Sequence, residues 1–245
     1  SGQFRLIPNG GWIFSKHIKI TPDFYDTRWN KSTQVFTLPE LDEFNFSAEN
    51  HLQKKTLIVD LENSEDDIWK SCVHSKRRNM IRKAMKEGVS IEHVDSQEQL
   101  NQFYELYRNA SLKYTKNPLL KAFFSDLLEN AHNINLDIYT AVLNEVQLAN
   151  VAIISDKSYS IYWFGNNAPD QKNIGQGDLL QWHTIQQMKL KGCKYYDLCF
   201  IEPEKLPHIY KFKKGFSNTE VKANYYINRS KRFKILDHIN RFLYD

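Results

Sequence analysis

The sequence predicts an α/β (α+β) fold, a mixed and largely antiparallel sheet flanked by helices, preceded by a shortened N-terminal lobe. Three observations lead to it. Strand-length apolar segments follow one another over "LDIYTAVL", "LANVAIIS" and "YSIYWFGNN", segments of helical period lie on either side, and the pair "GQG" marks where strand patterning gives way to helix. A chain of 245 residues with 41% apolar and 13% aromatic content can fill a sizeable core, in one large domain or two small ones. Its longest apolar runs, such as "NVAIIS", fall well short of the roughly 18 residues a membrane span needs.

The first part, to about residue 60, is aromatic-rich, with short strand candidates "GGWIFSKHIKI", "STQVFTL" and "KTLIVDL". The stretch "ENSEDDIWKSCVHSKRRNMIRKAMKEG" is expected to be one long helix, capped by Asn63 or Ser64, acidic in its first turn and ended by Gly88. Its period puts Trp69, Val73, Met80 and Ala84 on one face. Arg78, Arg82 and Lys86 recur on the opposite face, which is either solvated or turned to a phosphate. A strand, "VSIEHV", then leads to helices around "SQEQLNQFYELYRNASLKY" and "NPLLKAFFSDLLENA". The three central strands follow, joined by the hairpin turns "NEVQ" and "SDKS". A helix from about Asp178 to Lys191, strand "KYYDLCF", a short helix near "LPHIYKFKK", strand "EVKANYYIN" and an amphipathic helix "KRFKILDHINRFLYD" complete the order. The expected division is residues 1–88 and residues 89–245.

Composition narrows the function classes. Cys72, Cys193 and Cys199 form no CxxC and cannot all pair, so a reduced cytoplasmic setting is expected; the eight histidines lack metal spacing, and no metal is expected. Net charge is only +4, but from Lys205 to Lys234 nine Lys or Arg face one acid, a local +8. That field suits a phosphorylated carrier, RNA or an anionic membrane surface, and equally describes a solvated basic face. DNA is not expected as a partner.

Glycines at 175 and 177 open the helix that begins near Asp178. A helix start carries unpaired N–H groups and partial positive charge, so the amides of Gly175, Gln176, Gly177 and Asp178, with Lys172 just before them, are expected to form an anion nest. A third glycine of a dinucleotide fingerprint is missing, with Leu180 in its place, and GxxxxGK[ST] is absent. Turn glycines with no ligand are the alternative.

Three antiparallel strands, then [Q/R]xxGxG/A, then helix, strand and helix resembles the GNAT acyltransferases, with Lys172 in place of Gln or Arg. The resemblance implies that this loop holds the pyrophosphate of acyl coenzyme A and that a backbone N–H near Trp163 and Phe164 polarises the acyl carbonyl. "SKRRNMIRKAMKEGVSI", "GDLLQWHTIQQMKLKGCKYYDL" and "IYKFKKGF" further resemble the Fem-type (FemABX) aminoacyltransferases, over about residues 55 to 227. Those proteins pass amino acids from aminoacyl-tRNA to a lipid-linked peptidoglycan precursor. The Fem-type resemblance implies roles for Asp197, as general base or amine anchor, and for Phe212 and Lys213 near the reacting centre. GNAT resemblance offers Tyr210 as proton donor. Arg78, Arg82 and Glu202 are the further candidates for substrate contact. The expected activity is therefore N-acyl transfer from acyl-CoA to an amine on an amino sugar, peptide or lipid-linked acceptor, in the cytoplasm or peripherally at the inner face of the membrane. Aminoacyl-tRNA is the alternative donor, and a non-catalytic RNA- or membrane-binding module the alternative class.

Overall fold

The structure, a computed structural model, describes residues 2–6, 11–16, 32–37, 50–113, 118–130 and 134–229. Its strands are β1 (Gly2–Leu6), β2 (Gly11–Lys16), β3 (Ser32–Thr37), β4 (Asn50–Asp60), β5 (Ser90–His93), β6 (Asn135–Leu143), β7 (Val146–Ser155), β8 (Tyr159–Asn167), β9 (Tyr195–Ile201) and β10 (Thr219–Arg229). Its helices are α1 (Glu65–Asp67), α2 (Ser75–Lys86), α3 (Gln97–Lys113), α4 (Lys121–Asn130), α5 (Gln176–Leu190) and α6 (Pro207–Lys214). The helix expected from "KRFKILDHINRFLYD" lies outside the described residues.

Two compact units emerge, residues 1–55 with 221–245, and residues 56–220. The boundary expected at residue 88 thus falls inside the second unit. In the first, β1, β2, β3 and β10 pair antiparallel in that order. In the second, the strand order is β4-β9-β8-β7-β6-β5. Strands β5 to β8 are antiparallel neighbours, and β8 with β9 is parallel. The β6–β7 turn uses Asn144 and Glu145 at φ 49 and 65, the conformation that two-residue hairpin turns demand.

β7 is buried along nearly its whole length because both faces of the sheet are covered. Tyr139, Ala141, Val151 and Ile153 join the core with α2 and α5. On the other face α3 lays down Leu100, Phe103, Tyr107 and Ala110, an i, i+3, i+4 stripe, and Asn150 donates to the Phe103 carbonyl at 3.3 Å. α4 adds Phe124 and Leu127, while Leu128, also at helical spacing, is exposed.

The long helix expected after residue 63 is broken. Ser64 does cap α1, accepting from Asp67 N–H at 3.1 Å. The chain then makes a π-helical turn over Ile68–Cys72, leaves helical geometry at Val73 (ψ 112), and restarts with His74 as N-cap. Competing partners explain the break. Arg78 donates to the carbonyls of Trp69, Lys70 and Val73, Asn218 donates to Ser71 O at 2.6 Å, and His74 N–H reaches Gly215 O at 2.8 Å. Carbonyls that a continuous helix would satisfy internally are satisfied from outside instead.

A charged cluster ties the β5–β6 edge to the end of α5. Asp137, 3% exposed, accepts from Lys191 and from His93 Nε2 at 3.2 Å, and His93 Nδ1 meets Asp95. The Asp137 hydrogen bond raises the His93 pKa. Burial pushes the Asp137 carboxyl up, but His93 and Lys191 outweigh it and hold it below the usual carboxylate range. A raised histidine stabilises below its unfolded value and loses that contribution as pH rises through its folded value; a depressed carboxylate loses its contribution as pH falls. Melting temperature differences between wild type and His93→Gln are therefore expected to be largest between about pH 4.5 and 6.5 and to shrink above that; a difference independent of pH would remove the ion pair as its source.

Candidate active site

β8 and β9 pair only at Tyr159↔Tyr195, Ser160↔Tyr196 and Ile161↔Asp197. Both strands run on, over residues 162–167 and 198–201, without pairing to each other. The facing edges of the two strands part there. Two irregularities shape it. Cys199 has φ 62, unusual for a residue with a side chain, and turns β9 away. On β8 the ladder to β7 shifts so that Ile153 pairs with Tyr162 and Ala152 with Phe164, leaving Trp163 as the extra residue of a bulge.

Asp197 sits where the strands part. It is 0% exposed and accepts from the hydroxyl of Thr56 on β4, from Tyr159 Oη at 2.6 Å, and from Cys199 N–H at 2.7 Å. Burial pushes its carboxyl up, and those three donors pull it back. The sequence expectation made this residue a base or an amine anchor. In the structure its three partners tie β4, β8 and the β9 bend together.

Lys213 spans the gap. The side chain is buried, its Nζ donates to Phe200 O on the unpaired stretch of β9 at 2.7 Å, and it lies 5.6 Å from the centroid of Tyr162 on the unpaired stretch of β8. Burial pushes its pKa down from the ordinary lysine value, with Cys199 and Asp197 pulling it back. Tyr162, whose phenol burial pushes up, was not foreseen. Phe212 packs on Phe216 at 5.3 Å, and Tyr210 is half-buried against the same core.

The glycine turn opens α5 at the end of the segment that follows β8. Gly175 is its N-cap at φ 100, and a Cβ there would collide with the Met80 carbonyl of α2. Close helix packing and a left-handed backbone therefore require this glycine. Gly177 differs: an added Cβ would lie 3.2 Å from Asn167 Oδ1, the end of an adaptable side chain. The nest is narrower than expected. Ile174 N–H donates to Gln176 Oε1 at 2.8 Å and Gly175 N–H to Asn173 Oδ1 at 2.9 Å. Gln176 is 1% exposed and Gly177 half-buried, with Lys172 exposed beside them.

Arg77 was missed. Its Nη1 meets Asp178 Oδ1 at 2.9 Å, with side chains 17% and 5% exposed, and its guanidinium lies 5.2 Å from the Phe212 centroid. Burial pushes the Asp178 carboxyl up despite that partner. One side chain thereby links α2, the start of α5 and α6. The "SKRR" run signals charge but not burial, since charged side chains are rarely enclosed.

The other candidates have partners of their own. Arg78, expected as a substrate contact, donates through Nη1 to three carbonyls at the π-helical turn. Arg82 stacks over Trp69 at 5.5 Å, and Glu202 lies 3.8 Å from Lys205. The Trp163 and Phe164 side chains pack into the α3–α4 aromatic cluster against Phe123, Phe124 and Tyr107.

Parallel strands that part beside a bulge, with a glycine-capped helix at the mouth, agree with the family to which the sequence itself points: residues 75–213 match the acetyltransferase (GNAT) domain. This chain belongs to the GNAT family. Several solved structures share its fold. FemX superposes with a TM-score of 0.60 at 13% identity, covering 78% of this chain and 66% of its own. The C-terminal domain of a putative lysylphosphatidylglycerol synthetase from Agrobacterium fabrum gives 0.55 at 12%, covering 79% and 66%. A conserved protein of unknown function from Bacteroides thetaiotaomicron gives 0.52 at 10%, covering 93% and 86%. The chain thus spans about two thirds of the first two. No curated protein matches it. Among the described residues no helix is long and apolar enough to cross a membrane, and no three metal-ligating side chains cluster.

Two substitutions separate the roles of this GNAT loop. Gly175→Ala is expected to lower stability by at least about 2 kcal/mol, whereas Gly177→Ala stays within about 0.5 kcal/mol, as read by denaturant unfolding. Arg77→Met, which strands a buried carboxylate, is expected to cost about 3 kcal/mol, and adding Asp178→Asn is expected to recover part of it; no recovery would show that Arg77 acts through packing alone.

Proposed function

We propose that this chain is an N-acyltransferase that moves an acyl group from acyl-CoA to a primary amine on an amino sugar, peptide or other envelope-type acceptor. The supporting observation is Lys213, held between two parted strands at the mouth where α5 begins. In this reading the acyl carbonyl rests against the β8 backbone at the Trp163 bulge, and the donor's phosphate lies on the Gln176 and Gly177 N–H groups near Lys172. The amine attacks the acyl carbon, a C–N bond forms, the C–S bond breaks, and the thiolate leaves. Lys213, biased by burial toward its neutral amine, accepts the proton that the attacking nitrogen sheds. Asp197 positions rather than reacts, and Tyr210 is the candidate to protonate the thiolate. Phe212, Arg82 and Glu202 are left as acceptor-side contacts.

A second reading, an aminoacyl-tRNA donor with a peptidoglycan precursor as acceptor, draws on the narrowed nest, since a single phosphodiester needs fewer amides than a pyrophosphate. Membrane contact would then come through a lipid-linked acceptor.

Acetyl-CoA and aminoacyl-tRNA are to be supplied separately with a panel of amines, following free thiol or deacylated tRNA. Turnover with one donor is expected, rising with pH through the depressed Lys213 pKa. Lys213→Met is expected to lose about 100-fold or more, and Lys213→Arg to restore little, because guanidinium stays protonated. Acylation by neither donor would end the enzyme reading.

A further inference from the structure

Tyr162 is a phenol on the parted strands that the chemistry above leaves unused. It is the first residue of β8 beyond its pairing with β9, and the bulge at Trp163 follows it. Its ring is held on the side of Lys213, whose Nζ lies 5.6 Å from the centroid, and packs on the core that α2 and α5 share. A second residue fixes where the hydroxyl ends. A Cβ on Gly165 would collide with Tyr162 Oη, so the phenol lies along its own strand and the absent side chain gives it room. Gly165 itself is exposed, which puts the hydroxyl end of a half-buried ring at the open edge of β8.

That hydroxyl is also uncommitted. Nearby on the same sheet, Tyr159 Oη donates to Asp197 at 2.6 Å, and Tyr196 Oη meets Gln181 Nε2 at 2.7 Å and Thr184 Oγ1 at 3.0 Å. Tyr162 Oη makes no hydrogen bond among the described residues, although a phenol drawn out of water ordinarily finds a partner. Burial pushes its pKa up, so the O–H stays intact and available as a donor.

We propose that Tyr162 Oη donates a hydrogen bond to the acyl carbonyl oxygen as that oxygen becomes an oxyanion, which makes Tyr162 a catalytic residue of this site. The inference rests on the acyl-transfer reading and adds a side-chain donor to it. When the amine nitrogen attacks, a C–N bond forms and the carbonyl electron pair moves onto oxygen; the phenol answers that charge and keeps its proton. The pair returns to the C=O bond as the bond to the leaving group breaks. A thioester and an aminoacyl ester pass through the same oxyanion, so the assignment is the same for either donor. Lys213 takes the proton from nitrogen, and Tyr162 meets the charge on oxygen.

The test is steady-state kinetics on the full chain, with whichever donor the wild type turns over. Tyr162→Phe keeps the ring and its contact with Lys213, and is expected to lower kcat roughly 100-fold with KM and melting temperature unchanged. Gly165→Ala, which displaces the hydroxyl, is expected to lower kcat in the wild-type background but to add less than about twofold to Tyr162→Phe. Full kcat in Tyr162→Phe overturns the assignment, as does a loss carried by KM or by melting temperature, since packing of the ring would then be the cause. Losses that multiply when the two substitutions are combined overturn it as well, because Gly165 would then act without the hydroxyl. In each of those cases wild-type turnover leaves the transferase reading standing, whereas a wild type inactive with both donors removes the two together.

Discussion

The buried carboxylate of Asp197 is the constraint on which the candidate site depends. Three donors reach it from β4, from β8 and from its own strand two residues on. A carboxylate with no water must be fully partnered, so these groups cannot relax apart without leaving a charge or a polar atom unsatisfied in the core. The cost is what allows β9 to keep Cys199 in a left-handed conformation. With that bend fixed, β8 and β9 separate at one place only, and Lys213 meets a carbonyl that a continued ladder would have occupied.

A second buried ion pair governs the other wall. Arg77 and Asp178 join α2 to the first turn of α5, and the glycine at the cap lets the two helices approach until backbone meets backbone. A carboxylate at the third helical position already answers part of the partial positive charge of the helix start. The loop is thus built as much for packing as for an anion, and the amides left over are the ones the loop's own side chains do not reach. α5 is correspondingly buried on all sides, with Gln181 and Thr184 meeting the Tyr196 hydroxyl at 2.7 and 3.0 Å.

Much of this was legible in the sequence, and the reasons are local. The apolar runs "LDIYTAVL" and "LANVAIIS", the Asn-Glu turn and the glycine before α5 each carry their signal within a few residues, and the strand–helix order follows from them. The interrupted helix was not legible, because its period is sound and only Arg78 and Asn218, folded back from elsewhere, divert its carbonyls. Nor was the role of Asp197. A motif resemblance drew attention to it, but Thr56 lies 141 residues away and Tyr159 lies 38 away, and no spacing rule joins such partners. Arg77 stood in plain view among four polar neighbours and read as surface.

The single surplus residue on β8 also sorts side chains between compartments. Along a regular strand Tyr162 and Phe164 would face the same way; because Trp163 is inserted between two successive pairs, Tyr162 turns toward Lys213 while Phe164 turns toward Phe103 and Tyr107. Chemistry and aromatic filling are thereby segregated onto opposite sides by a parity change, and deleting one position would exchange their addresses for everything downstream to Asn167.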